Sequence, residues 1–181
     1  AFLAQSPQFY KQIMVGVFER VYEVGPVFRA EPHATTRHIN EYVSLDAEFG
    51  FIEDHFTVMD LLAGVIRDIL TYVQCNCTEE LEMLEVDMPA LADSIPWVFY
   101  PDIQELLNER EGIDTHGELD LAPEHERALG RWARSEHGSD FVFVTGYPMA
   151  KRPFYTHPNP DNPVYSSSFD LLFRGMELVT G

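Results

Sequence analysis

The stretch GPVFRAEPHATTRHINEYVSLDAEFGF, residues 25–51, decides the fold that we expect. Strand-forming residues lie at both ends and the middle is polar, which predicts a strand, a long loop and a return strand. Because side chains alternate along a strand, Arg29 and Glu31 are expected to share one face. The return strand also carries polar or aromatic residues at alternate positions: Tyr42, Ser44, Asp46 and Glu48. Burying so many charged and polar side chains in a hydrophobic core would cost free energy. The hairpin instead suits a site for an anionic, planar, metal-bound ligand.

The composition places this hairpin in an ordinary globular domain. The 181 residues, 45% of them hydrophobic, are enough for one domain with a sizeable core. No apolar run approaches the roughly 20 residues that span a bilayer, so we expect no membrane contact. The net charge of −18, with two lysines and ten arginines, argues against a nucleic-acid-binding module on electrostatics alone. Cys75 and Cys77 are expected to be free thiols in a reducing compartment.

Outside the hairpin, helices and strands follow one another without a regular alternation. Helices are predicted over residues 6–20, 54–74, 102–110 and 124–137, and the first of them carries an apolar stripe of Phe9, Ile13 and Val17. Residues 140–145 form the clearest buried strand, and residues 169–173 and 177–180 read as two more. This order predicts an α+β fold, an antiparallel β-sheet flanked by helices.

Several segments of the chain resemble one enzyme family. Phe28-Arg29-Ala30-Glu31 resembles the F-R-x-E of motif 2 in class II aminoacyl-tRNA synthetases. The segments LAQSPQFYKQ (3–12), TTRHINEY (35–42), PFYT (153–156) and SFDLLFRGMELVTG (168–181) resemble aspartyl-tRNA synthetases of the archaeal and eukaryal type. The resemblance implies that residues 1–181 are a fragment of the catalytic domain. Within it, the motif 2 hairpin spans about 20–52, a less certain insert about 76–122, and the strands before motif 3 about 139–181.

The resemblance also implies a set of ATP-binding residues. Arg29 would act in catalysis at the α-phosphate, which suits a guanidinium that binds two oxygens and keeps its charge. Tyr42 would stack on adenine, and Glu31 and His38 would lie near the phosphates. Two carboxylates on adjacent strands, Asp170 and Glu177, would bind the phosphates through Mg²⁺, with Thr180 nearby. From the residues alone, three alternatives remain: an Arg29–Glu31 salt bridge, a core role for Tyr42, and a solvated strand-end carboxylate at Glu177.

A second set of residues would select the amino acid. Gln8 and Lys11 lie one helical turn apart and can face one pocket. The resemblance assigns Gln8 and Asp46 to the α-amino group of aspartate and Lys11 to its side-chain carboxylate. Where this chain has Ser6-Pro7-Gln8, the sequence of asparaginyl-tRNA synthetases resembles S-G-Q. This difference favours aspartate as the amino acid. Two alternatives remain, a surface lysine at position 11 and an Asp46–Arg29 pair.

The resemblance predicts ATP-dependent activation of aspartate and its ligation to tRNA(Asp). Whether tRNA(Asn) is a second substrate is left open by the sequence. Arg37 would approach the tRNA acceptor end, while anticodon contacts in the family come from a separate barrel domain. The full-length enzyme would be a cytoplasmic homodimer of protein synthesis. Both chain ends look cut, and motif 1, motif 3 and the G-G-Q-R arginine are not in this sequence, so the 181-residue chain alone is expected to be inactive. The alternatives are an asparaginyl-tRNA synthetase, a synthetase-like adenylate-binding paralogue, and an acidic interaction domain.

Overall fold

A computed structural model describes residues 2–32 and 38–181, which divide into two compact units, Ala1–Glu53 and Asp54–Gly181. The helices are α1 (Gln8–Phe18), α2 (His55–Asn76), α3 (Thr78–Met83), α4 (Tyr100–Glu111) and α5 (Pro123–His137). The strands are β1 (Arg20–Phe28), β2 (Glu41–Phe49), β3 (Trp97–Phe99), β4 (Phe141–Thr145), β5 (Phe169–Phe173) and β6 (Met176–Thr180).

The first unit is a hairpin of β1 and β2 with α1 packed against it. The strands are antiparallel, and Glu23 lies opposite Asp46. The predicted common face of β2 is confirmed, because its members are half-buried and alternate with more exposed neighbours. Arg29 and Glu31 differ from expectation, since they follow β1 and do not lie on it. The backbone nevertheless stays paired at Arg29, whose N–H donates to the carbonyl of Asn40 at 2.9 Å.

Helix α1 turns its polar side, not its apolar stripe, toward the hairpin. Phe9, Ile13 and Val17 are 70%, 54% and 73% exposed. The buried residue of α1 is Lys11, at 7%. The reason is electrostatic: the hairpin face beneath α1 carries carboxylates, which attract an ammonium group and would be left unpaired beneath an apolar one.

The second unit is a four-stranded sheet with helices on both faces. The strand order is β3-β4-β5-β6, and all neighbours are antiparallel except β3 and β4, which are parallel. The predicted α+β class is confirmed, with one parallel pair added at the edge. All five residues of β4 are buried. Phe141 and Phe143 pack in the cluster that includes α2, and Val142 and Val144 in the cluster of α4 and α5.

Local signals set the limits of the helices in this unit. Asp54 caps α2, as predicted, by accepting a hydrogen bond from the backbone N–H of Thr57 at 3.1 Å. Helix α5 ends at Gly138, which adopts the left-handed conformation that favours glycine.

Across the described part of the chain, no helix has both the length and the apolar character needed to cross a bilayer. Cys75 and Cys77 are free thiols.

A pair of glycines lets α5 approach the turn between β5 and β6. A Cβ atom on Gly130 would lie 2.7 Å from the backbone nitrogen of Gly175. A Cβ atom on Gly175, where φ is +76°, would lie 2.5 Å from Cα of Arg127. Both distances are below 3.0 Å, closer than real Cβ atoms approach other heavy atoms. The close approach therefore fixes the turn that joins Asp170 on β5 to Glu177 on β6.

We expect Gly175→Ala to destabilise the second unit by about 2–4 kcal/mol, because left-handed strain and a backbone clash add together. Gly117→Ala is the matched control, since its φ is +78° but nothing lies within 4 Å of its Cβ position. It should lose only about 1 kcal/mol. Native-state hydrogen exchange of the β4 and β5 amides measures both free energies. Equal losses in the two variants would contradict the close-approach argument.

Candidate active site

An ionic cluster joins α1 to the polar face of β2. The Lys11 ammonium lies 3.0 Å from Oδ1 of Asp46 and 3.7 Å from Oε2 of Glu48. Gln8 donates its amide N–H to the same Glu48 oxygen at 3.2 Å, and the Ser44 hydroxyl donates to Oδ2 of Asp46 at 2.6 Å. The structure thus brings together Gln8, Lys11 and Asp46, the three residues that the sequence assigned to the amino acid. It adds Ser44 and Glu48 to them.

The electrostatics of this cluster favour charged partners. Partial burial alone would raise the pKa of Asp46, but the Ser44 hydrogen bond and the Lys11 charge outweigh it and hold the pKa below its usual range. Arg29 contributes to this shift by its charge without forming an ion pair. The Lys11 ammonium has three donors and already has one close carboxylate partner. An incoming carboxylate could take the place of Glu48, the more distant of its two acidic partners.

A small cavity opens on the same face of the hairpin. Its volume is about 100 Å³. The polar and aromatic residues that line it come from the N-terminal segment, α1 and both strands: Ser6, Tyr10, Glu23, Ser44 and Asp46. Gly25 lies on its floor opposite Ser44, where the absence of a side chain leaves space. Gln8 and Lys11 are not among the lining residues, and Lys11 is linked to the cavity through its ion pair with Asp46.

The predicted nucleotide contacts of the first unit lie at the loop end of the hairpin, where β1 ends and β2 begins. The Arg29 guanidinium lies 5.6 Å from the centre of the Tyr42 ring, within the range of a cation–π contact. Within residues 2–32 and 38–181 no ion pair joins Arg29 to Glu31, so that alternative does not describe this structure. Arg29 is exposed, while Glu31 and His38 are half-buried. Arg37 lies outside the described residues.

A second cluster surrounds Asp170 on β5. Asp170 is only 5% exposed, and its Oδ1 accepts from Nη2 of Arg152 at 3.0 Å and from the Thr180 hydroxyl at 2.6 Å. The Arg152 guanidinium lies 4.0 Å from the centre of the Tyr147 ring. Burial, and then the charge of Asp170, raises the pKa of the Tyr147 hydroxyl, so this group stays neutral.

Sequence reasoning did not identify Arg152 or Tyr147. The one available signal was position, because Arg152 directly precedes the PFYT segment that resembles the enzyme family. The partner of Arg152 is 18 residues away, on β5, and an ion pair of that separation has no local pattern in the sequence.

Glu177 lies on the same face of the sheet as Asp170. Asp170 opposes Thr180, and Glu177 opposes Leu172, two positions along β5 from Asp170. Desolvation, and then the charges of Asp170 and Glu126, raises the pKa of Glu177, although the residue as a whole reaches solvent. Carboxylate oxygens suit Mg²⁺, which typically takes one or two of them and completes its shell with phosphate oxygens and water. The two acids therefore fit a metal that arrives with phosphates. The described residues hold no cluster of three metal-ligating side chains that would bind it alone.

The whole length of the chain is similar to known proteins. A protein named aspartate–tRNA(Asp/Asn) ligase from Deinococcus radiodurans is 50% identical over 186 residues, which cover all of this chain and 42% of that protein. The aspartyl-tRNA synthetase structure from Entamoeba histolytica matches 99% of this chain and 38% of its own, with a TM-score of 0.90 and 33% identity. An asparaginyl-tRNA synthetase from Pyrococcus horikoshii, complexed with asparaginyl-adenylate, matches 99% of this chain and 41% of its own, with a TM-score of 0.85 and 26% identity.

The similarity is therefore complete along this chain but partial along its relatives, of which the chain spans about two fifths. The family model for class II tRNA synthetases (D, K and N) matches residues 1–181, every residue of the sequence. The chain belongs to the class II tRNA synthetases of this D, K and N group.

Proposed function

We propose that the full-length protein carrying this chain is an aspartate–tRNA ligase. The observation that carries the proposal is Lys11, a buried cation held against the carboxylates of the hairpin in a class II synthetase domain. An ammonium group there can pair with the side-chain carboxylate of aspartate. It gains far less from the neutral amide of asparagine.

The fold itself does not distinguish aspartate from asparagine, because synthetases for both amino acids align with nearly the whole chain. The distinction rests on the charge of the pocket. Lys11 is one of only two lysines in the sequence. Gln8 and Asp46, which lie beside it, would bind the α-amino group through an amide oxygen and a carboxylate. Asp46 suits an ammonium ligand because its pKa is held low, so that it stays ionised.

The proposed chemistry has two steps. In the first, an α-carboxylate oxygen of aspartate attacks the α-phosphorus of ATP, the bond to the β-phosphate bridging oxygen breaks, and pyrophosphate leaves. In the second, a terminal ribose hydroxyl of tRNA attacks the activated carbonyl, loses its proton, and AMP leaves. The substrates supply both nucleophiles, so the protein has to position them and stabilise charge.

In this scheme Arg29 and Tyr42 would bind the nucleotide. The guanidinium would bind oxygens of the α-phosphate, where negative charge builds up during attack. The Tyr42 ring would stack on adenine, and its contact with Arg29 keeps the two groups adjacent. Glu31 and His38 would lie near the phosphates. Mg²⁺, when bound by Asp170 and Glu177 with Thr180 nearby, would neutralise charge on the phosphates.

Glu177→Gln is expected to raise the Mg²⁺ concentration required for adenylate formation and to slow that step more than it weakens aspartate binding. The reason is that this carboxylate acts through the phosphate-bound metal and not through the amino acid. Pyrophosphate exchange titrated with Mg²⁺ measures the requirement, and Glu109→Gln, on the exposed side of α4, is the control. A Mg²⁺ titration identical to that of the parent protein would refute this role.

The partners belong to the full-length protein. We propose that Arg37 approaches the tRNA acceptor end, that the protein acts as a homodimer, and that it works in the cytoplasm. The name of the Deinococcus relative includes tRNA(Asn), which makes a second tRNA substrate a reasonable candidate.

Charging of tRNA transcripts with labelled aspartate by the full-length gene product tests the proposal. We expect labelled tRNA(Asp), with labelled tRNA(Asn) as the sign of a second substrate. Charging with asparagine and not with aspartate would identify the protein as an asparagine enzyme. Adenylate binding without any charging would favour a synthetase-like paralogue.

A further inference from the structure

Asp170 is a buried carboxylate whose charge is already balanced within this chain. It is 5% exposed, and Arg152 lies 3.0 Å from its Oδ1. The side chain of Arg152 is itself only 15% exposed. A buried ion pair of this kind is costly to form, and an arginine keeps its charge under all ordinary conditions. Asp170 therefore always has a cation beside it.

The Arg152 guanidinium contacts both the Tyr147 ring and the Asp170 carboxylate. It stacks on the Tyr147 ring, with 4.0 Å between the two centres. Its Nη2 donates to Asp170, while its Nε is buried and has no hydrogen-bond partner among the described residues. The arrangement places the guanidinium at the carboxylate at the expense of its other hydrogen bonds.

The same carboxylate is the residue that would bind Mg²⁺ in the proposed function. A fixed positive charge next to a ligand oxygen repels a divalent cation, and the repulsion is strong where water is largely excluded. Asp170 and Glu177 carry two negative charges when ionised, Glu126 adds a third near Glu177, and Arg152 cancels one of the three. A nucleotide triphosphate adds several more negative charges and restores the attraction.

We propose that Arg152 is an internal counter-ion that prevents Asp170 and Glu177 from holding a divalent cation until a nucleotide brings its phosphates. The inference rests on the proposed function for the identity of the metal site. Metal binding at this site would then depend on nucleotide, and the site would bind no divalent cation while nucleotide is absent. Arg152 then acts through Asp170 as a positioning residue and does not touch the reacting atoms.

The test is Mn²⁺ binding to the full-length protein without nucleotide, measured by the electron paramagnetic resonance signal of free Mn²⁺. We expect Arg152→Gln to bind Mn²⁺ about tenfold more tightly than the parent protein, because the opposing charge is gone. Arg152→Lys keeps the charge and should bind as the parent does. Arg110→Gln removes an exposed cation paired with Glu136 in the same unit and should have no effect. Unchanged or weaker binding by Arg152→Gln would overturn the proposal and leave Arg152 a purely structural role.

A measurement on the unaltered protein tests the counter-ion proposal even if Arg152→Gln fails to fold. Mn²⁺ should bind weakly to the protein alone and at least about tenfold more tightly with a non-hydrolysable ATP analogue, after subtraction of the Mn²⁺ that the analogue binds without protein. Tight binding of Mn²⁺ without nucleotide would overturn the proposal. Aspartate-dependent pyrophosphate exchange on the same sample separates the two questions. Exchange together with tight nucleotide-free binding rejects only the counter-ion, whereas absence of exchange rejects the proposed function.

Discussion

Replacing Lys11 by methionine in the full-length protein is expected to lower aspartate activation by about 10²-fold or more. A lost hydrogen bond to a charged group costs roughly 1.5–3 kcal/mol, and about 1.4 kcal/mol corresponds to a factor of ten. Asp46 would add to the loss, because its carboxylate would keep its Ser44 hydrogen bond but lose the ammonium 3.0 Å away. Methionine has a similar length and keeps the apolar packing of the lysine stem. Pyrophosphate exchange with aspartate gives the rate.

The sequence supplies a matched control, since Lys151 is its only other lysine and is exposed. Lys151→Met removes the same charge at a different place and should leave aspartate activation within about twofold of the parent, as expected for an exposed surface position. Exchange with asparagine should be measured beside aspartate for both variants. An unchanged preference of Lys11→Met for aspartate would remove Lys11 from the amino-acid site.

Arg29→Gln is expected to slow adenylate formation by about 10²–10³-fold, which is typical for the loss of one fixed donor at a developing charge. Glutamine keeps a hydrogen-bond donor but loses the charge and the two-pronged geometry of the guanidinium. The KM for aspartate should change much less, because Arg29 acts on the phosphate. Single-turnover formation of aspartyl-adenylate measures the chemical step apart from product release.

Arg20→Gln serves as the control for Arg29. Arg20 is an exposed arginine at the start of β1, whereas Arg29 directly follows the end of that strand. Its loss should leave the rate of adenylate formation unchanged within error. Equal slowing in the two variants would mean that the hairpin responds to a change in net charge, and would contradict a specific role at the α-phosphate.

The hairpin could be predicted from the sequence because its signals are local. Alternation of side chains set the common face of β2, and the structure confirms it for Ser44, Asp46 and Glu48. The limits of the strands were less certain, and Arg29 lies just beyond β1. The buried strand β4 was also predictable, since every one of its five residues is apolar or β-branched and each is buried.

Features that depend on partners distant in the sequence could not be predicted. The apolar stripe of Phe9, Ile13 and Val17 indicated the buried side of α1, but Lys11 is the buried residue. Periodicity measures the hydrophobicity of a helix face and not the charge of the surface that the helix meets. The parallel pairing of β3 with β4 likewise depends on strands that are more than 40 residues apart.

Arg152 shows the same difficulty at the candidate metal site. Its sequence neighbours, Lys151 and Pro153, resemble those of a surface loop, and nothing local indicates a guanidinium buried on Asp170. The carboxylates were found because family resemblance marked their strands. Arg152 directly precedes the PFYT segment, but nothing in the sequence pairs it with a carboxylate 18 residues away.

The central claim is that the full-length protein selects aspartate by the negative charge of the aspartate side chain. Pyrophosphate exchange by the full-length gene product, with aspartate and asparagine supplied separately at equal concentration, tests it most directly. We predict rapid exchange with aspartate and at least about 10²-fold slower exchange with asparagine, since one charged hydrogen bond and its unpaired partner separate the two ligands. Equal exchange with both amino acids, or faster exchange with asparagine, would contradict the assignment of Lys11 and with it the proposed function.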